Sequence, residues 1–209
     1  MLTIDFETFY SREFSLTKLT TEEYVRSPEF QVIGVAVKVN DGPAEWFSGT
    51  LEETAEFLAQ YDWDNHFVLA HNAMFDAAIL SWVFGQKPKA WLDTLSMARA
   101  LFGTTISGRL AVLAEHFGLG AKGTEVNDAK GVHRLDFTPT GLAQYGEYCR
   151  NDVELTYKLF KELDQGFPTK EKKLIDLTIR MFSDPVLELD IPRLQDHVVA
   201  IREIGRAHV

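Results

Sequence analysis

Leu2, Ile4 and Phe6 alternate with Thr3, Asp5 and Glu7 at the start of the chain, the period-two pattern of a β-strand. That pattern constrains the fold strongly, because it sets Asp5 and Glu7 side by side on one face. Neighbouring carboxylates repel, and each resists ionising beside the other. A positive partner between them relieves the repulsion. A divalent cation is the usual one, since hard cations take carboxylate oxygens. The alternative is an exposed strand end carrying two solvated acids, and Asp-x-Glu alone does not decide between them.

The rest of the composition bounds the answer. The 209 residues suit one domain, or one domain and the start of another. Hydrophobic residues at 45% and charged residues at 25% are ordinary for a globular protein. No apolar run approaches the roughly 20 residues that cross a membrane, so no membrane partner is expected. With no basic-then-apolar leader and a single cysteine, Cys149, the expected setting is a reducing cytoplasm, bacterial or phage-infected. Cys149 itself reads as a small buried hydrophobe. A formal net charge of −10 argues against a broad basic surface for duplex nucleic acid, but not against a metal site that grips a few nucleotides.

Read in order, the chain predicts an α/β fold. Residues 30–39 are β-branched and strand-like, Asp41-Gly42 is a turn, and residues 44–47 close a hairpin, giving three antiparallel strands at the start. Thr20 or Thr21 caps a short helix before them. Thr50 caps a helix with a buried stripe of Leu51, Ala55 and Leu58. A short apolar strand, 67–70, runs into a helix over 74–84, and a second, 91–92, ends at Asp93. Helices follow over 94–102 and 110–117. The glycine-rich stretch 118–131 lacks the order of a P-loop and reads as a surface loop. Thr138 or Thr140 caps a long helix to Leu163, with a core stripe including Leu142, Tyr145, Cys149 and Val153. A helix over 169–182 is broken at Ser183-Asp184-Pro185. A short strand over 186–189 and a last helix, capped by Asp190 and carrying Leu194, Val198, Ile201 and Ile204, complete the chain.

Further carboxylates stand in matching contexts. Asp76 lies just inside a helix that follows a strand end, where α/β folds bind ligands, although an acid there is also simply favoured by the helix dipole. Asn72 reads equally as a helix cap and Phe75 as core. Tyr148 and Asp152 are four apart on the long helix and share a face, as a cooperating pair or as a solvated surface pair.

Three patterns in this order resemble the proofreading 3′–5′ exonuclease superfamily with its four acidic residues: Asp5-Phe6-Glu7, Asn72-Ala73-Met74-Phe75-Asp76 and Tyr148-Cys149-Arg150-Asn151-Asp152. One branch carries a histidine five residues before the last aspartate. Glu147 stands there, so the tyrosine branch fits. The resemblance covers residues 1–165 and implies a ribonuclease-H-like mixed five-stranded sheet, three antiparallel strands then two parallel, flanked by helices. Residues 166–209 look like the lead into a polymerase region of a truncated phage-type family A enzyme.

The resemblance also implies a site. Asp5 would bridge two Mg²⁺ or Mn²⁺ ions, with Glu7 and Asp152 completing the water-activating position and Asp76 holding the second ion. Tyr148 would orient the water. Thr8 matches a position that touches the terminal nucleotide, and Asn72 and Phe75 join the substrate side. Phe9 and Tyr10 are further stacking candidates. His71, His116, His133 and His197 show no ligand spacing and read as structural or surface residues. The expected partners are a single-stranded DNA 3′ end, a nucleoside monophosphate product and a DNA polymerase domain, possibly in the same full-length chain. An exoribonuclease and a silent polymerase scaffold are the alternatives.

Overall fold

The computed structural model describes residues 1–121, 123 and 129–207. Part of the predicted loop over 118–131, namely residues 122 and 124–128, lies outside the described residues, as does the side chain of Ile204.

β1 (Leu2–Thr8) is central in a five-stranded sheet of order β3-β2-β1-β4-β5. It pairs antiparallel with β2 (Val32–Val39), and β2 with β3 (Ala44–Phe47). On the other side β1 runs parallel to β4 (Phe67–Ala70), and β4 to β5 (Ala90–Asp93). This is the predicted mixed α/β sheet. Both faces are covered. Leu2, Ile4 and Phe6 join Val35 and Val37 in the main apolar core. Thr3, Asp5 and Glu7 face the other way. Asp5 stands opposite Ala36, which packs against Cys149 and Val153 of the long helix α6 (Pro139–Leu163).

Two glycines let α6 settle there. A Cβ on Gly146 of α6 would come within 2.6 Å of the Trp46 ring, and one on Gly34 of β2 within 2.3 Å of the same ring. The register slips between Glu7 and Thr8, so two residues of β2 oppose one step of β1. Such bulges bend a strand and re-aim its side chains, and this one falls at the second acid.

The helices follow their caps. Thr20 and Thr50 close capping boxes with Glu23 and Glu53 at the starts of α1 (Thr21–Val25) and α2 (Leu51–Leu58). The buried stripe of α2 is Thr54, Phe57 and Leu58, not the predicted Leu51, Ala55 and Leu58. Leu51 is exposed. The helix is turned to bring the larger Phe57 ring onto Phe47, at 4.8 Å between centroids. α3 (Ala73–Ala78) does not continue as one α-helix to residue 84, because Ile79–Val83 widens into a π-helical turn. α4 (Thr94–Phe102) and α5 (Leu110–His116) flank α6.

α7 (Thr169–Ser183) lies on β5 and α3. The Trp91 backbone N–H, on the edge strand, donates to Asp176 Oδ1 at 2.8 Å, and Arg180 holds Asp176 and the Pro88 and Lys89 carbonyls. The edge is thus capped by side chains in place of a further strand. Residues 186–189 form no strand. Val186 and Leu187 are each 88% exposed, and an extended segment without a neighbouring ladder leaves its backbone groups to water. α8 (Ile191–Ala207) follows, with Asp190 Oδ1 accepting from the Arg193 N–H. No described helix is long and apolar enough to cross a membrane.

Candidate active site

The acids from three distant segments meet at the α6 face of β1. Ligand atoms of Asp5, Glu7 and Cys149 all lie within 4.8 Å of one another. Asp76, one turn into α3, accepts the Phe6 backbone N–H at 3.1 Å, so its carboxylate sits between the two acids of β1 along the chain. Asp152 is brought in by α6, on the same face as Tyr145, Tyr148 and Cys149. Glu7 is 9% exposed, Asp76 3% and Asp152 5%, so the reading of solvated acids fails. The Tyr148–Asp152 pair is likewise buried, with the phenol close enough to the Asp152 carboxyl to feel its charge.

Buried negative charge shapes the electrostatics. Burial, then the neighbouring Asp5, pushes the Asp76 carboxyl well above the usual range. Burial, then Asp152, Glu7 and Asp5, raises the Tyr148 phenol, and burial and Glu7 do the same to Tyr145. Both tyrosines therefore keep their protons and act as donors. Cys149 is pushed up by burial and by Asp5 and Glu7, so it stays a thiol, with Sγ 3.4 Å from the Asp5 carbonyl and 3.5 Å from Asp5 Oδ2. A protonated thiol is a weak donor here.

The donor set that remains is carboxylate oxygen, which suits a hard divalent cation. Asp5, Glu7, Asp76 and Asp152 fit such an ion. Asp76 is held above its ordinary pKa by burial and then by Asp5, whose charge a cation would neutralise.

Beside Glu7 opens a cleft of about 320 Å³, lined among others by Thr8, Tyr10, Tyr24, Phe75 and Tyr145. Thr8 Oγ1 is 2.9 Å from the Tyr24 hydroxyl, which donates to the Phe9 carbonyl. Phe75 is part-buried against Tyr24. Phe9 is not available for stacking. It is buried between the His133 ring, 3.8 Å away, and Phe14. Asn72 does not line this cleft but a second groove, with left-handed backbone (φ 70°) and no capping bond from its side chain.

Three functional neighbours escaped the sequence reading. Tyr145 joins the core as its place in the helix stripe predicts, and its hydroxyl also donates to Glu7 Oε2 at 2.5 Å. Its place three residues before Tyr148 on the same helix face was the available signal. Cys149 touches Asp5 as well as packing. Asp93 accepts the Asn72 N–H at 2.8 Å while capping α4 through Leu95 and Ser96, and so fixes the turn that starts α3. An aspartate between a strand and a helix start carries that signal.

A sheet of this order with acids gathered at its central strand is the ribonuclease-H-like arrangement. The chain belongs to the 3′–5′ exonuclease family, whose sequence profile matches residues 29–166. The match spans the Asn72–Asp76 and Tyr148–Asp152 patterns and begins after Asp5 and Glu7. Solved structures of similar fold include Trypanosoma brucei RNase D, 14% identical, with a TM-score of 0.66 over 90% of this chain and 68% of that one. Brucella melitensis NrnC is 16% identical, with a TM-score of 0.61 over 88% and 82% of the two chains. The family B DNA polymerase of Pyrobaculum calidifontis is 19% identical, with a TM-score of 0.55 over 87% of this chain and 25% of that one. A comparison with curated protein sequences gave no match.

Proposed function

We propose that this protein is a divalent-metal-dependent 3′–5′ exonuclease that hydrolyses the last phosphodiester of a single-stranded DNA 3′ end and releases a nucleoside 5′-monophosphate. The observation that carries this is the gathering of part-buried Asp5 and buried Glu7, Asp76 and Asp152, from β1, α3 and α6, beside two tyrosines that keep their protons. Burying that much like charge is unfavourable in itself and is resolved by cations.

Asp5, Glu7, Asp76 and Asp152 would hold two Mg²⁺ or Mn²⁺ ions. Such ions, when bound, lower the pKa of the attacking water and neutralise charge on the leaving oxygen. The chain's own groups do the rest. Tyr148, beside Asp152, offers its proton as a hydrogen bond to the water. Tyr145 fixes Glu7 so that the oxygen not bonded to it faces the site. Phe75, Tyr10 and Thr8 line the cleft for the terminal nucleoside. The new bond joins water oxygen to phosphorus, and the P–O3′ bond breaks, with a proton passing to the departing 3′ oxygen.

A proofreading role beside a polymerase domain accords with the likeness to a quarter of a family B DNA polymerase chain. A second reading, an exoribonuclease, is supported by structures of RNase D in complex with RNA U12 and of NrnC bound to pGG, and an NrnC structure with bound Mg²⁺ supports the metal. The test is a matched pair of DNA and RNA oligonucleotides with 3′ labels, incubated with Mg²⁺ or Mn²⁺ and again with chelator. Metal-dependent release of labelled mononucleotide, faster from DNA, is expected. Release that persists in chelator overturns the proposal, and faster release from RNA moves it to the second reading.

A further inference from the structure

Cys149 stands inside the acidic site, where a hard ion has no use for sulfur. It is the chain's one cysteine and is fully buried on α6. Its Sγ and an oxygen each of Asp5 and Glu7 lie within 4.8 Å of one another. Sγ is 3.5 Å from Asp5 Oδ2. That spacing is close to one edge of a tetrahedral zinc site. A Zn–S bond of about 2.3 Å and a Zn–O bond of about 2.1 Å, at the tetrahedral angle, set sulfur and oxygen about 3.6 Å apart. Octahedral Mg²⁺, with ligands at about 2.1 Å, sets neighbouring ligands about 3.0 Å apart and takes oxygen. The sulfur is therefore placed for a different ion from the one the carboxylates suit.

The fold holds these three groups in place. Cys149 and Val153 both pack on Ala36, which stands opposite Asp5 on β2, so the sheet sets the distance from sulfur to carboxylate. Tyr145 fixes Glu7 through Oε2, so this carboxylate is positioned before an ion arrives. Asp5 is part-buried and gives an ion its way in from solvent. Three protein ligands leave the fourth tetrahedral position to water.

We infer that Asp5, Glu7 and Cys149 give the acidic site a second coordination mode, tetrahedral and partly sulfur, for Zn²⁺ and similar thiophilic divalent ions. Binding forms the metal–sulfur bond and breaks the S–H bond, and the proton leaves to solvent. Asp5 and Glu7 serve both modes, so an ion held with Cys149 excludes the hard ions and Zn²⁺ inhibits the protein. The inhibition rests on the exonuclease reading of the site; the coordination does not.

The experiment titrates Cd²⁺, a spectroscopic stand-in for Zn²⁺, into the whole protein freed of metal. It follows the sulfur-to-metal charge-transfer absorption in the ultraviolet, beside Mg²⁺-supported mononucleotide release on the same preparation. The wild type should develop the band to saturation at one ion per chain, and excess Zn²⁺ should erase it. Cys149→Ser, which puts a hard oxygen in place of sulfur at nearly the same size, should give no band. In Cd²⁺ it should also keep a larger share of its own Mg²⁺-supported turnover than the wild type keeps. Asp5→Ala with Glu7→Ala should need far more Cd²⁺ to reach the same band. Failure of the wild type to bind Cd²⁺, or calorimetric binding without the band, overturns the inference whether or not either variant folds. So does an unchanged midpoint in the alanine pair, which would make Cys149 a thiol reacting by itself. The expected bands in a protein that releases no nucleotide support the coordination and sink the exonuclease reading alone.

Discussion

The hydroxyl of Tyr145 on α6 donates a 2.5 Å hydrogen bond to Glu7 Oε2 on β1, linking residues 138 positions apart in the chain. Both groups are buried, and the Tyr145 ring stacks between Phe137 and Tyr148, so the donor cannot swing away. A glutamate has three side-chain torsions, and one oxygen fixed in this way sets the direction of the other. Tyr145→Phe keeps the ring stack and removes only the donor. A hydrogen bond to a charged group contributes about 1.5–3 kcal/mol, which corresponds to a fall in kcat of roughly tenfold to a hundredfold if it acts wholly through Glu7. Steady-state kinetics with a 3′-labelled oligonucleotide, beside a calorimetric titration of Mg²⁺, checks this. A fall in kcat with weaker metal binding is the expected pair of results.

Asp5→Ala with Glu7→Ala should abolish mononucleotide release. In chelator the same variant should melt no lower than the wild type, because the replacement removes mutual repulsion at the α6 face. Thermal melts with and without Mg²⁺ measure both sides. The wild type should gain stability with the ion, about 2.7 kcal/mol at a hundred times its Kd, and the variant should gain none of it.

The central strand and its two acids were legible because period two in a short run has one structural meaning. The strand-to-helix setting of Asp76 and the face shared by Tyr148 and Asp152 were legible for the same reason, that local periodicity fixes direction. What was not legible depends on contacts across the sheet. Nothing near Tyr145 in sequence says that Glu7 lies opposite it. The buried face of α2 is chosen by Phe47, on another element, and not by the helix's own pattern. The π-helical turn at Ile79–Val83 adds a residue to a turn that apolar spacing alone reads as regular. Residues 186–189 have strand composition but no partner edge, and composition cannot supply one.

The pH dependence of the metal-free protein should carry the signature of Asp76. Its folded pKa is raised above the ordinary 3.8, first by burial and then by Asp5. The native state therefore binds this proton more tightly than the unfolded chain does. The linked stability is fully present below the ordinary value and is lost as pH rises through the folded pKa. Asp76→Asn keeps an oxygen to accept the Phe6 N–H but cannot ionise. In chelator it should be more stable than wild type at pH 7.5, with the advantage shrinking as pH falls toward 4. With Mg²⁺ present the order should reverse, because the amide is a poorer ligand. Urea titrations at three pH values, each with and without the ion, would reveal the crossing.

Gly146→Ala sets two effects against each other. Alanine is a better helix former than glycine by about 1 kcal/mol, and Gly146 lies in the middle of α6. Its new methyl, however, would stand 2.6 Å from Trp46 Cδ1 and Nε1, closer than any carbon contact allows. Trp46 also lies against Gly34, where a Cβ would meet its Cη2 at 2.3 Å, so the ring cannot retreat from α6 in that direction. Overpacking of this kind costs about 1–3 kcal/mol. The clash should win, with a net loss of up to about 2 kcal/mol in urea unfolding once the helix gain is subtracted. Because α6 also carries Tyr145, Tyr148 and Asp152, a shift that relieves the clash would move all three relative to β1. Gly146→Ala should therefore lower kcat as well as stability. The double variant Gly146→Ala with Trp46→Phe, which shortens the opposing ring, should recover much of both, and unfolding midpoints and turnover measured on the same preparations would show whether they return together.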